Sequence, residues 1–165
     1  MHYLDDTLVF SPSDLIVFMA SPFASWMERL TLEHPDHGIE SDCHDPLLQT
    51  LANRGIQHER AYLDQLKAQG LDMVVIDDPD PQAAEAATSA AMQAGADVIY
   101  QARLGRLDTD HGFIGLADFL RKRPGTSRLG DYHYEPWDTK LARKAKPYFV
   151  IQLCCYADLL QPLQG

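Results

Sequence analysis

The sequence predicts an α/β fold in which helices flank one small sheet, and three observations carry that prediction. A long amphipathic segment follows Asp45-Pro46, three β-rich runs come consecutively between Val98 and Leu141, and an apolar helical segment opens at Pro147. With 165 residues, 45% of them hydrophobic, the chain is long enough for one domain with a real core.

The elements follow in order. Ser13, and then Ser21-Pro22, supply capping hydroxyls and a first-turn proline. They predict one short helix from Asp14 and a second through Trp26, Leu30 and Leu32. Residues 34–44 are polar, contain Pro35 and Gly38, and form a loop. Asp45-Pro46 starts a long helix that runs to about Gln69 and stops at Gly70. Met73 to Ile76 is a β-branched run, hence a strand, broken by residues 77–81. Alanine propensity makes Gln82 to Gln93 helical. Strands are expected over Val98–Leu104, Phe113–Leu120 and Tyr132–Leu141, separated at Gly112 and Pro124-Gly125, and a last helix from Pro147 through Leu160. Residues 1–44 are thus an N-terminal helical extension and 45–165 the core of a single domain. A closing strand after the last helix would complete the sheet, and none remains before Gly165. The expectation is an N-terminal fragment of a longer protein, truncated before its last strand.

Several classes drop out. No apolar stretch approaches the ~20 residues of a membrane-spanning helix, and His2, Asp5 and Asp6 do not make a signal peptide. Cys43, Cys154 and Cys155 form neither a disulfide framework nor a spaced metal motif, so a cytoplasmic location is expected. A net charge of −10 would repel a polyanion, but its distribution is uneven. Between Arg121 and Lys146, eight basic residues face only Asp131, Glu135 and Asp138; this segment carries +5 and the rest of the chain −15. A solvated basic loop has the same signature, so the clustering is suggestive only.

Four groups of residues can carry chemistry. In a strand, Asp138 and Lys140 of Asp138-Thr139-Lys140 would face the same side. A carboxylate beside an ammonium suits ligation of a hard cation and stabilisation of charge developing on phosphate. The isolated triplet is common by chance and equally describes a surface ion pair. Asp118 lies in a run apolar on both faces, from Phe113 to Leu120, which predicts a buried central strand. A carboxylate there needs a partner or a metal, or else caps a neighbouring loop.

On the long helix, at ~100° per residue, Leu48, Leu51, Tyr62 and Leu66 form an apolar stripe about Gly55, whose lack of a side chain permits close packing on the sheet; His58 lies roughly 60° to one side and Glu59 roughly 40° to the other. Two ionisable residues flanking a buried stripe point to function more than one would. Gln152 and Tyr156, at i and i+4, share one face of the last helix. His34, His37 and His44 beside Cys43 do not form a structural zinc pattern. Trp26 and Trp137 are expected in the core or a lid, and Cys154-Cys155 as small apolar packing.

In this order, Gly55-Ile-Gln-His58-Glu59, Gly115-Leu-Ala-Asp118, Asp138-Thr139-Lys140 and Gln152-Leu-Cys-Cys-Tyr156 resemble the RecB-type branch of the PD-(D/E)XK nuclease superfamily, over roughly residues 50 to 160. Asp97-Val-Ile-Tyr-Gln and Asp138-Thr-Lys-Leu-Ala-Arg extend the likeness to predicted RecB-family nucleases often linked to helicase domains. The resemblance implies a restriction-endonuclease-like core, a small mixed sheet flanked by helices. It implies Mg²⁺- or Mn²⁺-dependent hydrolysis of single- or double-stranded DNA, in repair, recombination or defence. His58, Asp118 and Asp138 would hold the ion with a backbone carbonyl near Thr139, and Lys140 would position the attacking water. Glu59 matches a frequent helix acid. Gln152 and Tyr156 would contact DNA or brace the site, with Arg143 and Lys144 binding substrate from the basic segment. Some relatives carry an iron–sulfur cluster; Met19-Ala20-Ser21-Pro22 lacks the cysteine it would need, so none is expected. A catalytically inactive DNA-binding or scaffolding module on the same fold is the alternative, and a hydrolase of small phosphates a third reading.

Overall fold

The structure, a computed structural model, describes residues 1–39, 46–108, 110–142 and 144–165, apart from the side chains of 46–48. Its centre is a mixed six-stranded sheet flanked by helices. The chain enters through a hairpin, β1 (His2–Leu4) and β2 (Thr7–Phe10), closed by Asp5 and Asp6, both with positive φ. β2 then pairs parallel with β5 (His111–Ser127). Residues 1–44 are therefore not purely helical, because the hairpin gives two strands to the central sheet.

Helix α1 (Pro12–Ala20) begins two residues earlier than the Ser13 reading. Its cap is Ser11, which forms a reciprocal capping box with Asp14. Helix α2 (Pro22–Glu33) is capped by Ser21, as expected. Next come α3 (Pro46–Ala68), β3 (Met73–Val75), α4 (Pro81–Ala94) and β4 (Val98–Leu107). The long hairpin of β5 and β6 (Gly130–Trp137) and helix α5 (Pro147–Gln164) complete the chain. The strand order is β1-β2-β5-β4-β3, with β6 also on β5. β5 is thus the spine of the sheet. Along one edge it pairs with β4; along the other it pairs first with β2, up to Phe113, and then with β6, from Phe119 onward. Asp118 sits at the end of the interval between those two partners.

Two apolar clusters sandwich the sheet. The larger joins α4 and α5 to Ile99, Ala102, Leu104, Ala117 and Leu120, and the smaller joins Leu63 and Leu66 of α3 to Val98 and Phe119. α5 is clamped by Gln164, whose Oε1 accepts from the Tyr134 N–H at 2.8 Å while its Nε2 donates to the Tyr134 carbonyl at 2.9 Å. The described packing of α3 on the sheet lies in its C-terminal half, at Tyr62, Leu63 and Leu66. Leu51 and Ile56 are exposed and nothing lies within 4 Å of a Cβ built on Gly55, so the apolar stripe is buried at Leu66, half-buried at Tyr62 and exposed at Leu51. Trp26 is exposed too, stacked on Phe23 rather than in a core. Cys154 is exposed and Cys155 half-buried, so only the second packs even in part. Among the described residues no helix is long and apolar enough to cross a membrane.

Candidate functional site

The cluster assignments expose an irregularity at the middle of the sheet. Side chains of a strand alternate between faces, so residues on one face are two apart. In β4, however, Ile99 and Ala102 lie in the same cluster, three apart, and in β5 so do Ala117 and Leu120. The pairing register does not slip: Tyr100 opposes Phe119 and Ala102 opposes Ala117. Both strands therefore switch faces at the same place, where Gln101 lies opposite Asp118. Gln101 adopts the left-handed conformation, with φ 57°. For a residue with a Cβ this costs roughly 1–3 kcal/mol, and such strain gathers at functional sites.

The kink brings four elements together. From α3, Glu59 is half-buried, and its Oε1 accepts from the Tyr100 hydroxyl and from Gln101 Nε2, both at 2.8 Å. Burial and the bond to Glu59 push the Tyr100 phenol up to about 12, so it remains a donor. From β5, Asp118 is raised to about 7, first by burial, then by hydrogen bonding with Asp138 and by the negative charges of Glu59 and Asp138; Lys140 opposes the shift.

Immediately after β6 comes Asp138, with a side chain only 5% exposed. Strand β6 ends at Trp137, so Asp138, Thr139 and Lys140 occupy the segment leaving the strand rather than the strand itself. The Lys140 ammonium lies 2.5 Å from Asp138 Oδ2 as an ion pair. It lies off hydrogen-bond geometry, and both Asp138 oxygens and Thr139 Oγ1 are buried without a hydrogen-bond partner among the described residues. The contact with Asp118 does not remedy this while both are ionised, since two carboxylates can only accept. A shared proton satisfies one oxygen at most.

The fourth element is α5. Gln152 Nε2 donates to the Tyr156 hydroxyl at 3.0 Å, so the i, i+4 pair forms as its spacing predicts. Tyr156 is buried and close enough to Asp118 and Asp138 for their charges to raise its phenol, although burial is the larger cause. Gly115 makes room for it: a Cβ there would meet Tyr156 Cε1 at 2.7 Å.

The structure thus brings together Glu59, Asp118, Asp138, Thr139, Lys140, Gln152 and Tyr156. It does not bring in His58, which is exposed and has no hydrogen bond or ion pair among the described residues. Lys144 is exposed, and Arg143 lies outside the described residues. Sequence reasoning missed Gln101 and Tyr100 as site residues. Much of the basic segment has other partners: Lys122 pairs with Asp97, Arg123 with Glu135, and Arg128 donates to the carbonyl of Pro162. Arg121 instead lies over Trp137, 4.6 Å from the ring centroid, with no acidic partner among the described residues.

Oxygen donors, orphaned buried carboxylate atoms and an adjacent ammonium suit a hard divalent cation. Among the described residues no three His, Cys, Asp or Glu side chains are gathered as a ready-made ion site. Asp118 and Asp138 are neighbours, close enough for Asp138 to raise the Asp118 carboxyl. No family model, curated protein or solved structure matches the chain.

Proposed function

We propose that the chain is a RecB-type nuclease of the PD-(D/E)XK superfamily that hydrolyses phosphodiester bonds of DNA with a divalent metal ion. The observation that carries this reading is Asp138. Among the described residues its buried carboxylate has no hydrogen-bond partner; it has a lysine ammonium on one oxygen and a second aspartate beside it. One ammonium does not balance the three neighbouring carboxylates Glu59, Asp118 and Asp138, and a hard cation is the further compensation that oxygen donors select. Asp118, Asp138 and Glu59 would hold Mg²⁺ or Mn²⁺ with the carbonyl of Thr139, and Glu59 takes the part that the resemblance assigned to His58.

When bound, the ion supplies positive charge that neutralises the phosphate and makes water a better nucleophile at neutral pH. Hydrolysis adds water to phosphorus and breaks the bond to one ester oxygen, which leaves with a proton. Lys140 donates from Nζ towards the incoming water or a non-bridging oxygen, where negative charge grows. The Gln152–Tyr156 pair holds the phenol against the aspartates and fixes the floor of the site. Arg121 on Trp137, together with Lys144 and Lys146, offers cationic surface to a polymer rather than to a small phosphate.

The test is Mg²⁺-dependent cleavage of single- and double-stranded DNA by the wild type, Asp138→Ala and Lys140→Ala. The wild type is expected to cut and each variant to lose at least about 100-fold. Equal cutting by all three would overturn the proposed site. DNA and metal bound by every form with no cleavage would point to an inert binding module.

A further inference from the structure

We propose that Gln101 and Tyr100 are positioning residues that hold Glu59 in the site, and that the left-handed turn at Gln101 exists to aim the amide there. This rests on the metal-centre reading above. Three observations carry it. Both donors converge on one oxygen, Oε1 of Glu59, at 2.8 Å, leaving Oε2 without a partner among the described residues. That is the arrangement expected when one carboxylate oxygen is anchored and the other is kept for a ligand. Next, Gln101 is the one residue of the described strand interiors to have a positive φ without being glycine. It lies opposite Asp118, where both strands change face. Were β4 regular, residue 101 would share a face with Ile99, in the cluster of α4 and α5, and could not reach a residue of α3. Finally, the described packing of α3 on the sheet begins at Tyr62, after Glu59, while Leu51 and Ile56 upstream are exposed. Without these two bonds nothing described would fix the Glu59 carboxylate relative to Asp118.

A merely structural role for Gln101 predicts a different outcome, because glycine relieves the left-handed backbone while removing the amide. The test measures Mn²⁺ affinity by calorimetry and Tm without metal, for Gln101→Gly, Gln101→Asn and Tyr100→Phe. Gln101→Gly is repeated in a Glu59→Gln background. Asparagine tolerates the backbone but is one methylene too short to reach Glu59, and Tyr100→Phe keeps the ring against Phe119 in case the turn itself resists change. Each single variant is expected to weaken Mn²⁺ binding by about tenfold, with Tm held or raised in Gln101→Gly. In the Glu59→Gln background the further loss from Gln101→Gly should be under about twofold, because residues acting as one unit do not add. Equal losses in both backgrounds, or unchanged affinity in all three variants, would overturn the proposal. A wild type that binds no Mn²⁺ would sink the metal-centre reading and this inference with it. A wild type that binds Mn²⁺ without cutting DNA would sink only the nuclease reading, and the double-variant comparison would still decide this one.

Discussion

Two buried aspartate sites in this molecule are opposites. Asp14, in the first turn of α1, is 8% exposed and fully partnered: it accepts from the Ser11 N–H and hydroxyl, each at 2.7 Å, and pairs with the N-terminal ammonium. Burial alone would raise its carboxyl, but these bonds outweigh it and hold the group below the usual carboxylate range. The Asp138 side chain is as well buried, but among the described residues it has the Lys140 ion pair and no hydrogen bond, and its neighbour Asp118 is pushed up to about 7 by burial and by the other acids. Burial of an acid therefore says little. What separates a structural carboxylate from a candidate ligand is whether the fold has already given it partners.

The largest effect should come from exchanging the two acids for neutral groups. Asp138→Ala is expected to lose at least about 100-fold in cleavage while Tm stays level or rises, because repulsion between the crowded carboxylates is relieved. Asp14→Ala should do the reverse. The loss of the capping box and its charge-assisted bonds should cost about 1–3 kcal/mol in a denaturant melt, with cleavage per folded molecule unchanged. The contrast would collapse if Asp138→Ala proved the less stable of the two.

A second effect lies in the pH response, and its sign differs between the sites. The Asp118 carboxyl titrates higher folded than unfolded, so the folded state alone holds a proton from roughly pH 4 to 7. Its stabilisation is present at the acid end of that window and is lost as pH rises through about 7. The Asp14 carboxyl is lowered, so its contribution is present above the unfolded value near pH 4 and is lost as pH falls. Tm measured between pH 5 and 8 without metal should therefore fall for the wild type and stay flatter for Asp118→Asn. Parallel profiles for the two proteins would mean that Asp118 does not hold this proton.

How much of this was legible in the sequence depends on the range of the forces involved. The helix–three strands–helix order could be read because propensity, caps and alternation are local; α5 begins at Pro147 as its signal indicates, and α4 at Pro81, one residue before the expected Gln82. The β1–β2 hairpin was also locally signalled, by two β-branched or aromatic runs separated by Asp5-Asp6, and Ser11 stands three residues before Asp14 as a capping box requires. On α3, periodicity put Glu59 nearer the apolar stripe than His58, in keeping with the side that meets Tyr100 and Gln101. It could not show that the stripe outruns the sheet and leaves Leu51 in solvent, because amphipathic spacing carries no information about the extent of the packing partner. Nor could it show the kink. A glutamine with positive φ has no sequence signature, and its cost is met by a contact 42 positions away in the chain.

The same distinction between satisfied and unsatisfied groups divides the basic segment, and here the expected effect is smallest. Lys122 is committed: its ammonium is 3.0 Å from Asp97 and also donates to the carbonyl of Gly95, tying β5 to the end of α4. Next to it, on the other face, Arg121 has a tryptophan ring and no acid. A guanidinium with a ring contact and no ion pair among the described residues keeps its donors available for phosphate, while the ring limits how far it can stray. Arg121→Ala should then weaken DNA binding a few-fold and reduce the salt dependence of affinity by about one phosphate contact, with Tm little changed. Lys122→Ala should lower Tm and leave the salt dependence unchanged. Fluorescence anisotropy with a labelled oligonucleotide at several salt concentrations separates the two. If both variants altered the salt slope alike, the fold's own partners would not be what decides which of these charges is free to meet DNA.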